Sequence, residues 1–391
     1  MNATATPPTK NALTLRLAAL TFTLAALILL GLSTAVIGIT VIVVLVICHE
    51  WGHFLVARWC GVDVEEFFVG FGPVVLEKKT KSGLRVGLKA LPLGGYVRIV
   101  GMHELDDNAD SPRSYHQAHW IKKVAIAIAG PAANIFVSFL LIFAMTLYSG
   151  RDVGSTYVAS VESSLGAAHA HLQPGDHIVA VNAIPITSIE QARELWKHSK
   201  VARLTIVRHA HTIVVPVSVT HTATGPVIGV FLAPHRVPVS ALQALSLSAS
   251  SVSSLTSTAV SGLGSIGTGV QNLFASFSHS NNSSANQHRV TGPIGLIEVG
   301  NAASRSGLVY VIGLIAAYSV FLGVFNLIPI LPLDGGRVAV ALIEAAASKA
   351  LRRRFSVPAT WQNTVSAIAL VIFVTLGVVA MVADVVHPIT N

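Results

Sequence analysis

Apolar residues in this chain fall into long blocks, and several of the blocks have the length of a membrane span. A spanning helix needs about 20 mostly apolar residues. The longest block runs from Leu17 to Val56 and carries a polar cluster, His49, Glu50 and His53, near its end. It is too long for one ordinary span. Gly31-Leu32-Ser33-Thr34 offers a break that would give residues 1–33 an extra span near 14–32 and put the next at 34–58. A single long, tilted helix is the alternative. Lys10 and Arg16 favour the break, since basic residues ahead of a first span mark a cytoplasmic N-terminus. Three later blocks, 124–148, 307–336 and 364–387, each read as a span.

The segments between spans carry other periods. In the loop 59–123, Leu84 to Ala90 alternates with period two, and Pro92-Leu93-Gly94-Gly95 then precedes the β-formers Tyr96 to Val100. Alternation around a glycine turn predicts a β-hairpin. Segment 150–235 has strand-like runs at Tyr157–Val161, Ile178–Val181 and Leu204–Val207, with a helix-like run over Ile189–Lys197. Segment 236–306 begins with spaced Leu and Val suited to an amphipathic helix at a membrane surface. It continues into a Ser- and Asn-rich linker at Ser278–His288.

Composition agrees with a membrane location. Of the 391 residues, 52% are hydrophobic and only 11% charged, against about a quarter charged in soluble proteins. The net charge of +8 is not arranged as a basic stripe with interleaved aromatics, so a nucleic-acid partner is not expected. Arg58, Arg113, Lys122 and Lys123 gather around the first loop, and Arg337, Lys349, Arg352, Arg353 and Arg354 fill 337–363. Both loops should therefore be cytoplasmic and 150–306 exported. Cys48 and Cys60 match no zinc-finger or redox spacing and read as small apolar fillers. The fold expected is a polytopic α-helical membrane protein with four core spans, five with the N-terminal one. It would carry a membrane-associated cytoplasmic β-hairpin and an exported mixed α/β module.

His49-Glu50-Trp51-Gly52-His53 is an H-E-x-x-H motif. On a helix the two imidazoles share one face and can hold one zinc ion, with Glu50 beside them as a general base. Ionisable groups inside a bilayer cost roughly 2.5–3.5 kcal/mol each on insertion scales, so three in one apolar helix require a reason. A catalytic zinc takes three protein ligands and leaves one position open. The third candidate is Asp334 in Asn326-Leu327-Ile328-Pro329-Ile330-Leu331-Pro332-Leu333-Asp334-Gly335-Gly336, where two prolines break the helix. Broken backbone at membrane depth is tolerated only within protein or beside a watery cavity. Asn326 is a candidate for contacting substrate or the reaction's oxyanion. Asn134, in Gly130-Pro131-Ala132-Ala133-Asn134, is a second such candidate, among small residues that let helices approach closely.

Together HEWGH, GPAAN and NLIPILPLDGG resemble the site-2 protease family (peptidase family M50), over residues 45 to 340. The resemblance implies zinc on His49, His53 and Asp334, with Glu50 as base. Phe67-Phe68-Val69-Gly70-Phe71-Gly72-Pro73 and Thr291-Gly292-Pro293-Ile294-Gly295 are similar to the bacterial branch with an exported PDZ module. Leu172 to Asn182 looks like that module's signature, although Ala183 stands where glycine is usual. The implied function is regulated intramembrane proteolysis in a bacterial cell membrane. The substrates would be single-span proteins such as anti-sigma factors and remnant signal peptides, already trimmed outside the cell. The alternative is a membrane-anchored PDZ adaptor with a non-catalytic zinc site.

Overall fold

The structure is a computed structural model and describes residues 33–102, 111–152, 156–162, 165–186, 189–222, 225–233, 236–265, 267–271 and 307–386. The N-terminal extra span, the 278–288 linker and the Thr291–Gly295 motif lie outside the described residues. Within them, four helices are long and apolar enough to cross a membrane: α1 (Ser33–Trp59), α2 (Trp120–Ser149), α6 (Leu308–Asn326) and α8 (Ala359–Val386). Large apolar side chains such as Ile42, Phe136, Phe321 and Val371 stand exposed along them. Such faces are stable only against lipid or another protein.

The sequence block 307–336 resolves into three parts. Helix α6 ends at Asn326, a run of turns carries Pro329 and Pro332, and α7 (Asp334–Leu351) starts afresh at the aspartate. Gly335 and Gly336 are buried and press against the carbonyls of Leu327 and Ile330, an approach that any Cβ would block. The broken segment thus folds back onto the start of α7. At the start of α2, Lys123 and Glu344 form a buried ion pair at 2.8 Å, which ties α2 to α7. The second oxygen of Glu344 accepts the Val357 N–H at 3.1 Å.

The loop 59–123 departs from the simple hairpin expected. Leu84–Ala90 and Tyr96–Val100 do not pair with each other; residues 85–99 belong to one bent strand, β2 (Arg85–Ile99), opposite β1 (Val64–Lys79). The reversal between them is the turn Thr80–Leu84. Residues 66–69 of β1 pair with 95–98 on one side and with 85–88 on the other, while 74–79 pairs with 85–89. Two strands therefore make four sheet rows, with 66–69 inserted between the two runs of β2. Gly70 supplies the bend at φ +88, where a side chain would also meet the Leu91 carbonyl. One outer row is 95–98. The sheet is anchored where α1 ends and α2 begins, by a core of Ala57, Val62, Val64, Ile99, Tyr115 and Ile126. Full burial of a large apolar side chain such as Ile99 contributes about 1.5–3 kcal/mol.

A second compact unit spans 144–247. Its sheet runs β11 (Val230–Ala233), β4 (Tyr157–Val161), β5 (His177–Val181), β7 (Val201–Arg208), β8 (His211–Ser218), with β6 (Ile184–Pro185) paired to β5. Ala202, Leu204 and Ile206 alternate inward along β7, as the period of a strand requires. Ala192 and Trp196, one turn apart on α4 (Ile189–Trp196), fill the same core. Buried Asp176 accepts from Arg208 Nε at 2.7 Å and Nη2 at 2.6 Å, and from the Gln173 N–H at 2.8 Å. Burial works against the charge there, but these bonds outweigh it and hold the carboxyl below its ordinary value.

Asn182 and Ala183 link β5 to β6 at φ +52 and +69. A two-residue turn with both central φ positive is type I′, which explains why glycine is usual at the second position. Alanine there carries left-handed strain of about 1–2 kcal/mol. Ala183→Gly should stabilise the unit by up to about 1 kcal/mol, because glycine's looser unfolded state offsets part of the relief. Slower hydrogen exchange of the β5 and β6 amides in the full-length protein would register it; faster exchange would contradict the strain.

Candidate metal centre

His49 and His53 project from one face of α1, one turn apart, at 7% and 4% exposure. Trp51 points the other way and is exposed. Helix α2 crosses this face through small residues. Gly52 meets the Ala129 carbonyl, and a Cβ placed on it would stand 2.8 Å from that of Ala133. Gly130 lies directly under the imidazoles: a Cβ there would collide with Nε2 of His53 and stand 2.7 Å from Nε2 of His49. Pro131 withholds an N–H from this turn of α2. In the same stretch, the Ile126 carbonyl accepts from His53 Nδ1 at 2.7 Å.

Asp334 reaches the pair from the first residue of α7. Its Oδ2 lies 2.9 Å from His49 Nε2 and 3.2 Å from His53 Nε2, and the two Nε2 atoms are 3.2 Å apart. Among the described residues, these three side chains form the group of His, Cys, Asp or Glu whose ligand atoms converge tightly enough for a metal ion. The chemistry of the donors fits a cation. A backbone carbonyl only accepts, so neutral His53 must carry its proton on Nδ1 and present the Nε2 lone pair to Asp334 and His49. A lone pair, a carboxylate oxygen and a second imidazole nitrogen in so small a triangle repel one another unless something positive joins them. Two imidazoles and a carboxylate suit zinc.

These residues line a cavity of about 550 Å³ together with Glu50, Asn326 and the outer hairpin row, Tyr96 to Ile99. The carboxylate of Glu50 accepts the Val97 N–H at 3.1 Å, so the sheet steadies it. Asn326 donates from Nδ2 to the Leu322 carbonyl at 2.9 Å, which leaves the second amide N–H for the cavity. Arg337 also lines the cavity and a smaller neighbouring one of about 190 Å³ that contains Lys123 and Glu344.

Asn134 is placed differently from the expectation that it touches substrate or oxyanion. It is fully buried on the Nδ1 side of His49, with its Nδ2 3.3 Å from that atom, and its backbone carbonyl accepts from Ser319 Oγ at 2.7 Å. The imidazole stands between Asn134 and the ligand triangle, so the side chain supports the site from behind. Sequence reasoning missed the Ile126 carbonyl and the Val97 amide, because backbone groups have no residue-type signature. It also missed Arg337.

The family profile described as Peptidase family M50 matches residues 37–374. Among curated bacterial proteins, one from Mesorhizobium japonicum is 30% identical over 83% of this chain and 92% of its own length. One from Nostoc is 30% identical over 89% of this chain and 94% of its own length. A third, from Agrobacterium fabrum, is 28% identical over 80% and 86%. All three are provisionally named zinc metalloproteases. Among solved structures, a PDZ domain from an SdrC-like protein of Listeria monocytogenes is similar over 21% of this chain and 90% of its own, at 22% identity and TM-score 0.19.

Proposed function

This chain belongs to peptidase family M50, and from that premise we propose that it cuts other proteins within or beside their membrane-spanning helices. The observation that carries the reading is the position of the ligand triangle, with two of its three members inside a helix long and apolar enough to cross a membrane. His49, His53 and Asp334 would hold the zinc ion. When bound, zinc supplies Lewis acidity, acidifying water and polarising a carbonyl. Glu50 accepts the proton of the attacking water and returns it to the leaving amine. Asn326, with its spare N–H, steadies the developing oxyanion.

The substrate must arrive unwound, because helical hydrogen bonding shields the scissile carbonyl. Residues 96–98 of the outer hairpin row line the catalytic cavity, and the row offers a strand edge to such a segment. Substrates would be single-span proteins of a bacterial cell membrane, anti-sigma factors and remnant signal peptides among them, cut after an extracytoplasmic protease has shortened them. Basic residues around 58–123 and 337–363 support a cytoplasmic hairpin and an exported 150–235 unit. That unit, read as a PDZ domain, would screen substrates by size.

The test is cleavage of a single-span protein in detergent by native enzyme and by Asp334→Asn. The native enzyme should cut inside the apolar segment. The variant should hold at least about tenfold less zinc and leave the substrate intact. Cuts confined to soluble regions, or a variant with native zinc content and activity, would overturn the reading.

A further inference from the structure

Asn134 sits behind a metal ligand with its hydrogen bonding left incomplete. Its Oδ1 is buried without a partner, while Nδ2 faces His49 Nδ1 at 3.3 Å. In that orientation the amide donates to Nδ1, and neutral His49 must carry its proton on Nε2. An Nε2–H would point at His53 Nε2 and Asp334 Oδ2 and block coordination. Turning the amide by 180° exchanges its two ends, which are close in size and shape. Oδ1 then gains the Nδ1–H of His49, and the Nε2 lone pair turns into the triangle. The displaced nitrogen faces a side of α2 where Ser138, four residues on, has a buried hydroxyl that also lacks a partner.

We propose that Asn134 is a positioning residue: its amide carbonyl accepts the Nδ1–H of His49 and fixes the tautomer able to bind metal. The Ile126 carbonyl already does this for His53. Each imidazole is thus oriented by an oxygen of α2, one from the main chain and one from a side chain. Such outer partners set both ring orientation and ligand basicity. Ser319 secures the Asn134 backbone, and Gly323 of α6 approaches so closely that an added Cβ would stand 3.4 Å from Asn134 Cβ. The acceptor is therefore held from two sides. The assignment rests on the metal centre proposed above and is independent of the substrate.

Zinc affinity separates the two amide orientations when measured on the full chain in detergent by competition with a chromophoric chelator. Asn134→Leu, of similar volume but without an acceptor, should weaken zinc binding about 10–100-fold. Asn134→Asp keeps an acceptor in place and should retain native affinity. Native affinity in the leucine variant, or an equal loss in both variants, would overturn the assignment. If the leucine variant does not fold, the imidazole nitrogen resonances of His49 in the metal-stripped native protein decide. A proton on Nδ1 supports the assignment, and one on Nε2 refutes it. Failure of the native chain to bind zinc would instead remove the metal centre itself.

Discussion

Glu50→Gln is expected to bind zinc like the native chain and to lose cleavage by about 100- to 10,000-fold, the usual contribution of a general base. The replacement changes little but the chemistry. Its amide carbonyl can still accept the Val97 N–H that Glu50 holds at 3.1 Å, so the side chain stays where the sheet puts it. Glu50 is not among the converging ligands, and metal content should not move. What disappears is a basic site able to take a proton from water. Zinc content by mass analysis and cleavage of a single-span substrate together decide the matter. Native activity in this variant would remove Glu50 from the mechanism; lost zinc would make it a ligand.

Gly130→Ala should also have a large effect, with a sign opposite to what helix propensity predicts. Alanine inside a helix is ordinarily better than glycine by about 1 kcal/mol. At Gly38, where an added Cβ meets nothing within 4 Å, that gain should appear. At Gly130 the added carbon meets the Nε2 atoms of both His49 and His53. Overpacking of this kind costs typically 1–3 kcal/mol, or about 10- to 100-fold in zinc affinity. The two substitutions, compared by thermal melting and zinc titration, distinguish a centre pressed against α2 from a looser one. Undiminished affinity in Gly130→Ala would mean that the helices do not meet as described.

The spans were legible because apolar blocks of that length have few other uses, and the candidate site because two histidines and a glutamate are costly in such a helix. Pro329 and Pro332 announced a break, but not that a new helix would begin at Asp334 itself. The hairpin was misread for a topological reason. Alternation identifies strands, not partners, and the simplest pairing of 84–90 with 96–100 ignores the run 66–69 that inserts between them. Asn134 was ambiguous for a chemical one. An asparagine in a span serves equally well facing a cavity or a neighbouring ring, and only its place beside His49 Nδ1 separates the two.

His49 and Asp334 are 285 residues apart. The ribosome adds roughly 5–20 residues per second, so the histidines emerge on the order of 15–60 s before the carboxylate that completes their triangle. During that interval the group of side chains that could hold a metal ion is incomplete. The three side chains of the candidate centre can therefore meet only after residue 334 has been made.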